Sequence, residues 1–234
     1  ILLIVLFSFS AFYIAEFQFI KNLSLSPLIV GIILGMLYAN SLRNRLPETW
    51  VPGIKFCSKQ VLRAGIVLYG FRLTFQSVIA IGASAILIDV IIVTCTILLG
   101  ILVGKLLKMD NDLALLTATG SAICGAAAVL GAEPVAVKGD KNTNTTQRGK
   151  ITIPWFAFGF LAVIGFNSFD WLPVPVVDGI NSLDTFMLTM AMTALGAETN
   201  FEKFKQAGAK PFLLAAILYI WLLGGGYLLV KWLA

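Results

Sequence analysis

Residues 78–104 read Val78-Ile-Ala-Ile-Gly-Ala-Ser-Ala-Ile-Leu-Ile-Asp-Val-Ile-Ile-Val-Thr-Cys-Thr-Ile-Leu-Leu-Gly-Ile-Leu-Val-Gly104. Apart from small and hydroxyl residues the stretch is apolar, and Asp89 is its one charged side chain. About 20 consecutive apolar residues suffice for an α-helix to cross the hydrocarbon core of a bilayer. The stretch therefore predicts a membrane-spanning helix.

The composition of the whole chain agrees with this prediction. Of 234 residues, 59% are hydrophobic and 12% are charged, and the mean hydropathy is +0.92. Soluble domains contain roughly 45–50% apolar and about 25% charged residues. The composition therefore excludes a soluble enzyme, a nucleic-acid-binding domain and a disordered chain. We interpret the net charge of +5 as a signal of membrane topology, because excess Lys and Arg collect in cytoplasmic loops.

The residue types present also restrict the chemistry. The chain contains no histidine, which excludes zinc sites, proton relays and catalytic triads that depend on imidazole. No H-E-x-x-H, paired-aspartate or G-x-S-x-G pattern is present, so we expect no enzymatic activity, no metal site and no cofactor. The three cysteines, Cys57, Cys95 and Cys124, are expected to be free thiols.

Eight hydrophobic segments predict an all-α, polytopic transmembrane helix bundle. They cover residues 1–20, 26–41, 60–72, 78–104, 113–136, 152–169, 183–197 and 210–233. The long polar stretch 138–150 predicts a loop, or a junction where a segment is missing. It separates an N-terminal transmembrane half, residues 1–137, from a C-terminal transmembrane part, residues 151–234.

The distribution of basic residues does not fit eight strictly alternating spans. The basic loops before residue 110 would lie opposite the basic stretches 138–150 and 203–210, against the positive-inside rule. We expect either that segment 113–136 enters the membrane and returns, or that an odd number of spans is absent beside residues 138–150. Each correction places the acidic loop that contains Asp170, Asp178 and Asp184 outside.

An internal similarity suggests a duplication. Residues 70–75, 82–83 and 100 recur at 196–201, 208–209 and 226, and Pro27–Asn40 recurs as Pro154–Asn167. Repeated halves are the usual architecture of secondary transporters. With the topology corrected as above, the repeat would be inverted, whereas without the correction it would be parallel. Coincidence between small, apolar-rich segments is the alternative.

Residues 117–128 are small and rich in hydroxyl groups, which favours a break in the helix. A broken helix exposes backbone N–H groups that bind an anion, and the same small residues would equally suit tight helix packing. The candidate substrate-binding residues in this segment are Thr117, Thr119, Gly120, Ser121, Cys124 and Gly125. The candidates from the second half of the chain are Thr189, Thr193, Gly196, Thr199 and Asn200.

Four charged residues are candidates for coupling. Asp89 lies inside residues 78–104, where a carboxylate is costly to bury, so it is either a proton-coupling site or a neutral hydrogen-bonded side chain. Glu133 follows the small-residue segment. Arg72 and Glu198 occupy equivalent positions in the repeat, so they either pair across it or extend separately to the headgroup layers.

Five segments carry a resemblance to a known family. They are Leu25-Ser-Pro-Leu-Ile-Val-Gly-Ile-Ile-Leu-Gly35, Leu68-Tyr-Gly-Phe-Arg-Leu-Thr74, Gly120-Ser-Ala-Ile-Cys-Gly-Ala126, Ile153-Pro-Trp-Phe-Ala-Phe-Gly159 and Leu188-Thr-Met-Ala-Met-Thr-Ala-Leu-Gly196. Together they resemble the YeiH family of bacterial inner-membrane proteins, which is labelled a sulfate exporter family by inference. The resemblance implies the inverted-repeat fold with discontinuous helices of the cation/proton antiporter and bile-acid transporter superfamily.

One departure from the family is large. Its members carry further spans, including a Gly-Ala-Ser-x-His stretch, between the counterparts of Glu133-Pro134 and Ile153-Pro154. A block of about three spans is therefore absent here, which would restore the positive-inside pattern. Either the block is omitted from this sequence or the protein is a shorter paralogue that lacks half of a site.

These observations predict a multi-pass inner-membrane protein that transports a small inorganic or organic anion, such as sulfate or sulfite, and couples this transport to protons. The family resemblance implies that the direction of transport is export. The expected partners are the anion, protons and the lipid bilayer, with no nucleic acid; a homo-oligomer is compatible with the sequence. The alternatives are a monovalent-cation/proton antiporter and, if the absent block is a true deletion, an inactive membrane scaffold subunit.

Overall fold

The computed structural model describes residues 1–42, 50–123, 125, 155–199 and 208–233. Within these ranges the regular structure is helical, without strands. The α-helices are α1 (Leu2–Ala15), α2 (Gln18–Asn22), α3 (Pro27–Leu42), α4 (Val51–Phe56), α5 (Leu62–Tyr69), α6 (Phe75–Ile81), α7 (Ala83–Leu106), α8 (Asn111–Ala122), α9 (Trp155–Asn167), α10 (Val174–Glu198) and α11 (Lys210–Leu233). A π-helical turn, Cys57–Val61, joins α4 to α5, and a 3₁₀ turn, Gly70–Arg72, follows α5.

Each of the eight hydrophobic segments overlaps a described helix, which confirms the all-α membrane prediction. Among the described helices, two, Ser84–Leu106 and Lys210–Trp232, are long and apolar enough to cross a bilayer by themselves. A third span is present if Val51–Arg72 and Phe75–Ile81, which meet at an angle of 71°, count as one bent helix. Many large apolar side chains of Ser84–Leu106 and Lys210–Trp232 are exposed, as expected where lipid replaces water as the surrounding medium.

The helices form two compact units, and each unit draws on both sides of the polar stretch 138–150. The first unit contains α1 to α5, α9 and α10, and the second contains α7, α8 and α11. The free cysteines Cys57 and Cys95 lie in the first and second unit, respectively. Cys124 lies outside the described residues.

In the first unit, α10 packs along α3 through glycines. Gly31 faces Thr189 and Thr193, and Gly35 lies directly against the backbone of Thr193 and Gly196. The contacts advance in the same direction on both helices, so α3 and α10 run parallel. The Gly31/Gly35 pair therefore forms a packing face, because only glycine lets two helix backbones approach this closely.

The helix that contains α4 and α5 runs in the opposite direction to α10. Ser58 hydrogen-bonds to Glu198, with an Oγ to Oε1 distance of 3.0 Å, while Gly65 faces Leu188 further back along α10. The same helix is parallel to α9, because Gly159 contacts Val67 and Asn167 reaches the backbone of Leu73. It follows that α9 and α10 are antiparallel to each other.

In the second unit, α7 packs against α8 and α11. Gly100 and Gly104 face Ala118 and Ala114 of α8, so this second glycine pair is also a packing face. The indole Nε1 of Trp221 on α11 donates to Thr96 Oγ1 on α7 at 3.2 Å. Ile92 lies near Gly226 and Gly104 lies near Leu214, so α7 and α11 are antiparallel.

Substitution of Gly196 by alanine tests the close contact between α3 and α10. A Cβ at this position would meet the Ile32 carbonyl and lie 3.0 Å from the Met36 nitrogen, so the backbones must separate. We expect a loss of about 1–3 kcal/mol in the free energy of unfolding, measured by thermal unfolding in detergent. Gly179→Ala is the matched control on the same helix, since a Cβ there has no neighbour within 4 Å. Equal stabilities of the two variants would contradict this packing.

Candidate functional site

The helix that contains α4 and α5 is interrupted at Leu73 and Thr74. Leu73 has extended backbone angles, φ −121° and ψ 150°, and the chain continues as α6 at an angle of 71°. Such a break leaves backbone N–H and C=O groups without helical partners. Inside a membrane these groups must find other partners within the protein.

Side chains of α9 and its C-terminal end supply those partners. Asn167 Nδ2 donates to the carbonyl oxygens of Phe71 and Leu73, both at 3.0 Å. Ser168 Oγ accepts from the Phe75 N–H at 2.7 Å. Thr74 and Ser77 cap the start of α6 reciprocally, because each hydroxyl accepts from the other residue's backbone N–H. The break is therefore stabilised by hydrogen bonds from side chains of the first unit.

Arg72 stands immediately before the break and points to α10. Its Nη2 donates to the Asn181 carbonyl at 3.1 Å and to the Thr185 hydroxyl. Its Nε lies 3.3 Å from Asp184 Oδ2, and its guanidinium carbon lies 5.1 Å from the ring centre of Tyr69. One arginine thus joins the broken helix to three polar residues on one face of α10.

Asp184 is the buried member of this group. Its side chain has 0% of its surface exposed, whereas that of Arg72 has 37%. Neither carboxylate oxygen of Asp184 has a well-aligned hydrogen bond within the described part of the chain, and neither has Asn181 Oδ1. The two groups are therefore within ion-pair distance, but no linear N–H···O hydrogen bond joins them. Such a bond would offset more of the free-energy cost of burying the carboxylate. Burying an ionised carboxylate without hydrogen bonds is costly, which favours binding of a proton or of another donor.

Asp184 lies in the interior of its helix. It lies ten residues after Val174 and fourteen before Glu198, which are about 15 Å and about 21 Å along the helix axis. The residue is therefore near the middle of a helix of membrane-spanning length. The prediction that Asp178 and Asp184 lie in an external loop was wrong, because α10 begins at Val174 and includes both.

The structure also alters the description of Asp89. Gly82, with φ +91°, separates α6 from α7, so the predicted continuous span 78–104 is two helices. Asp89 is exposed and lies six residues after the start of α7, about 9 Å along the axis. The sequence predicted that Asp89 lies far from both ends of its span, and this prediction was wrong because the residue is near the start of α7. Glycine is required at the junction because this backbone conformation is closed to other residues.

The hypothesis of an ion pair between Arg72 and Glu198 was wrong, because Arg72 has a different partner. Arg72 pairs with Asp184, and Glu198 accepts a hydrogen bond from Ser58 near the other end of α10. The sequence contained one signal for the correct pair. Asn181, Asp184 and Thr185 stand three and four residues apart, so they share one face if the helix is extended towards its N-terminus.

The candidates on α8 lie in the second unit. Thr117 and Thr119 donate their hydroxyls to the carbonyls of Leu113 and Leu115, both at 2.7 Å. The helix ends at Ala122, inside the predicted break, and Gly125 has φ +73°. Gly125 N–H donates to the Gly120 carbonyl at 2.8 Å. This end presents carbonyl groups, whereas the sequence argument required N–H groups; Cys124 and Glu133 lie outside the described residues.

The candidates on α10 are placed in the packing face with α3. Thr189 and Thr193 are fully buried, and their hydroxyls donate to the carbonyls of Thr185 and Thr189 at 2.8 Å. Gly196 lies against Ile32 and Met36. Thr199 ends the helix, donates to Leu195 and accepts from Asn40. Asn200 lies outside the described residues, and Ser121 is half-buried on α8.

The apolar helices, the bent span and the buried ion pair define a polytopic all-α membrane protein. The family described as conserved hypothetical protein 698 matches residues 1–146 and 135–215. The chain belongs to this family, and it is a multi-pass protein of the bacterial inner membrane.

The similar proteins carry the names of the same family. A UPF0324 membrane protein of Bacteroides thetaiotaomicron is 49% identical over 327 residues, covering 100% of this chain and 97% of the relative. A UPF0324 membrane protein of Pseudomonas putida is 34% identical over 97% of this chain and 90% of its own length. The UPF0324 inner membrane protein YeiH of Escherichia coli K12 is 32% identical over 86% of this chain and 84% of its own length. No solved structure matches the chain.

The alignment lengths contain a further finding. The Bacteroides alignment has 327 positions and this chain has 234 residues, so 93 aligned positions of the relative have no counterpart here. The two family matches meet at residues 135–146, which lie in and beside the polar stretch. Relatives therefore contain a long internal segment that this sequence does not.

Proposed function

We propose that this protein is a secondary transporter that moves a small anion, with sulfate and sulfite as the first candidates, and couples its movement to protons. The observation that carries the proposal is the break in a membrane-spanning helix, where Arg72 contacts a buried carboxylate in the middle of α10. Ionisable residues at that depth are costly and mark ion pathways or proton relays. Broken helices at such positions are a recurrent feature of transporter binding sites.

Support for an inverted repeat comes from the helix directions. The sequence similarity pairs α3 with α9, the α4–α5 helix with α10, and α7 with α11. Within the first unit, α3 is antiparallel to α9 because α3 is parallel to α10. The α4–α5 helix is antiparallel to α10, and in the second unit α7 is antiparallel to α11. Gly82 and Gly208, which precede α7 and α11, both have positive φ. Opposite directions in every pair are expected of an inverted repeat.

An anion is the favoured substrate because the half-exposed group at the break is a guanidinium. Its planar donors suit oxyanions, whereas the Thr185 hydroxyl beside it accepts from Arg72 and donates to the Asn181 carbonyl. The carbonyl end of α8 gives separate support to the second candidate, a monovalent-cation/proton antiporter, because carbonyl oxygens attract cations. An inactive scaffold subunit remains the third candidate, on account of the internal segment that relatives possess.

Tracer uptake into proteoliposomes tests the proposal. The purified chain, its mass checked against 25.3 kDa, is reconstituted, and labelled sulfate and sulfite uptake is measured with and without an imposed pH gradient. We expect gradient-dependent uptake of at least one of the two anions. Sodium- or potassium-driven proton movement without anion uptake would support the cation antiporter instead. Uptake by the longer Bacteroides relative alone would show that the additional segment contains essential residues.

A further inference from the structure

We infer that Asp184 and Arg72 form the coupling pair of this transporter: Asp184 takes the transported proton, and Arg72, released from it, binds the anion. The inference rests on the proposed function and adds to it the coupling residue, the anion-binding residue and the relative direction of the two ions. It replaces Asp89 as the coupling carboxylate, since Asp89 is exposed and near a helix end.

The two members of the pair have complementary access. Asp184 is fully buried, and its oxygens lack aligned donors in the described structure. Arg72 keeps 37% of its side-chain surface exposed, so a ligand can reach it from outside the packed helices. Its attachment to α10 is through Nη2, to one backbone carbonyl and one hydroxyl, and through a misaligned contact to Asp184. These contacts hold Arg72 in place, but they do not form an aligned, bidentate ion pair that would occupy its donors.

The charges make proton and anion binding cooperative. When Asp184 is ionised it neutralises Arg72, and an anion on the guanidinium would face a second negative charge at close range. When Asp184 binds a proton, it becomes a neutral carboxylic acid, and Arg72 has its full positive charge available for the anion. Each ligand therefore strengthens binding of the other, which is the reciprocity required of coupled sites.

No second described carboxylate stands against Arg72. Helices α3 and α9 contain no ionisable side chain other than Tyr38, and α1 is uncharged from Leu2 to Ala15. Glu16 follows α1, which packs on the Phe186 face of α10, and Asp178 is exposed. Glu198 lies at the level of Ser58. On the α4–α5 helix, Lys55 and Lys59 lie towards the end opposite Arg72, and Arg63 lies nine residues before Arg72, about 14 Å along the axis.

This arrangement predicts that proton and anion move in the same direction. The loaded carrier contains a proton on Asp184 and an anion on Arg72, and the empty carrier returns as the internally neutral Arg72–Asp184 pair. A proton gradient directed inwards would then drive uptake of the anion. Export, which the family resemblance implied, would require a gradient in the opposite sense.

The test measures equilibrium binding of labelled sulfate to the purified full chain between about pH 5 and about pH 8. For the wild type we expect the affinity to rise about tenfold for each unit by which the pH falls, over the range where Asp184 is ionised in the empty protein. In Asp184→Asn we expect the affinity to vary less than about twofold over the whole range. The matched control, Asp178→Asn, removes an exposed carboxylate from the same helix and should keep the wild-type dependence.

Transport by the same variants separates the inference from the proposed function. Asp184→Asn should exchange sulfate across the membrane at equal pH, which proves that it is folded, but should not accumulate sulfate in response to a pH gradient. If the wild type is proton-coupled and Asp184→Asn remains so, the inference is overturned while the proposed function stands. If the wild type neither binds nor transports sulfate or sulfite, the proposed function falls and the inference falls with it. Binding that weakens as the pH falls would also overturn the inference.

Discussion

Arg72→Ala is expected to lower the free energy of unfolding by about 3 kcal/mol at neutral pH, the lower end of the range for breaking a buried ion pair. The substitution leaves Asp184 ionised and fully buried, with neither oxygen aligned to a donor in the described structure. The lower end of the range applies because Arg72 itself is partly exposed. Thermal unfolding in detergent, monitored by size-exclusion chromatography, provides the measurement.

The reverse substitution should cost less, and this asymmetry is the sharper part of the prediction. Asp184→Asn leaves an unpaired arginine that can turn its charge to solvent, so we expect a loss of about 1 kcal/mol. The double variant Arg72→Leu/Asp184→Leu removes both charges and should be more stable than Arg72→Ala. Lowering the pH should reduce the effect of Arg72→Ala, because a protonated Asp184 no longer needs a cation.

Arg63 offers a matched control on the same helix. In the described part of the chain it has no carboxylate within ion-pair distance, although its Nε is buried. Arg63→Ala removes a side chain of the same size and charge without leaving a buried anion. If Arg63→Ala and Arg72→Ala lose equal stability, or if the loss in Arg72→Ala is independent of pH, the pair contributes no specific stabilisation.

The spans could be predicted because their signal is local. Hydrophobic length alone located a helix in every predicted segment, and glycine spacing identified the contacts of Gly31, Gly35, Gly100 and Gly104. The candidate site could be predicted only in part. Arg72 was recognised as a charge at the end of an apolar stretch, but its partner lies 112 residues away, at the edge of the segment 183–197, and was counted with the acidic loop. Asp184 was therefore missed.

The two aspartates show why composition alone misplaced the coupling residue. Asp89 is surrounded by a long apolar run, and Asp184 follows the mixed sequence Val174-Pro-Val-Val-Asp-Gly-Ile-Asn-Ser-Leu183. The apolar run, however, is broken at Gly82, which has φ +91°, and the mixed sequence forms the start of α10, where Arg72 of the α4–α5 helix contacts Asn181. Depth in a membrane protein is decided by such tertiary contacts, which no single segment encodes.

Loss of the Arg72 charge is expected to reduce sulfate exchange by about 100-fold. A hydrogen bond to a charged group contributes roughly 1.5–3 kcal/mol, which corresponds to a change of about 10- to 150-fold in an equilibrium constant. The comparison is made in the Asp184→Asn background, because there the loss of Arg72 leaves no unpaired buried carboxylate. Arg72→Gln/Asp184→Asn is therefore compared with Asp184→Asn alone, by tracer exchange at equal pH on both sides of the membrane.

The nature of the substitution distinguishes charge from geometry. Arg72→Lys in the same background retains a positive charge but loses the planar donor fork, so its exchange rate should lie between those of the arginine and glutamine variants. Arg63→Gln in the same background changes a second arginine of the α4–α5 helix, far from Asp184 along that helix, and should change exchange less than about twofold. Exchange by Arg72→Gln/Asp184→Asn at the rate of Asp184→Asn would mean that the anion binds elsewhere, and the end of α8 would then be the next place to test. An equally large decrease in the Arg63 variant would mean that exchange depends on the net charge of the protein. A local binding role predicts a decrease for Arg72 and not for Arg63.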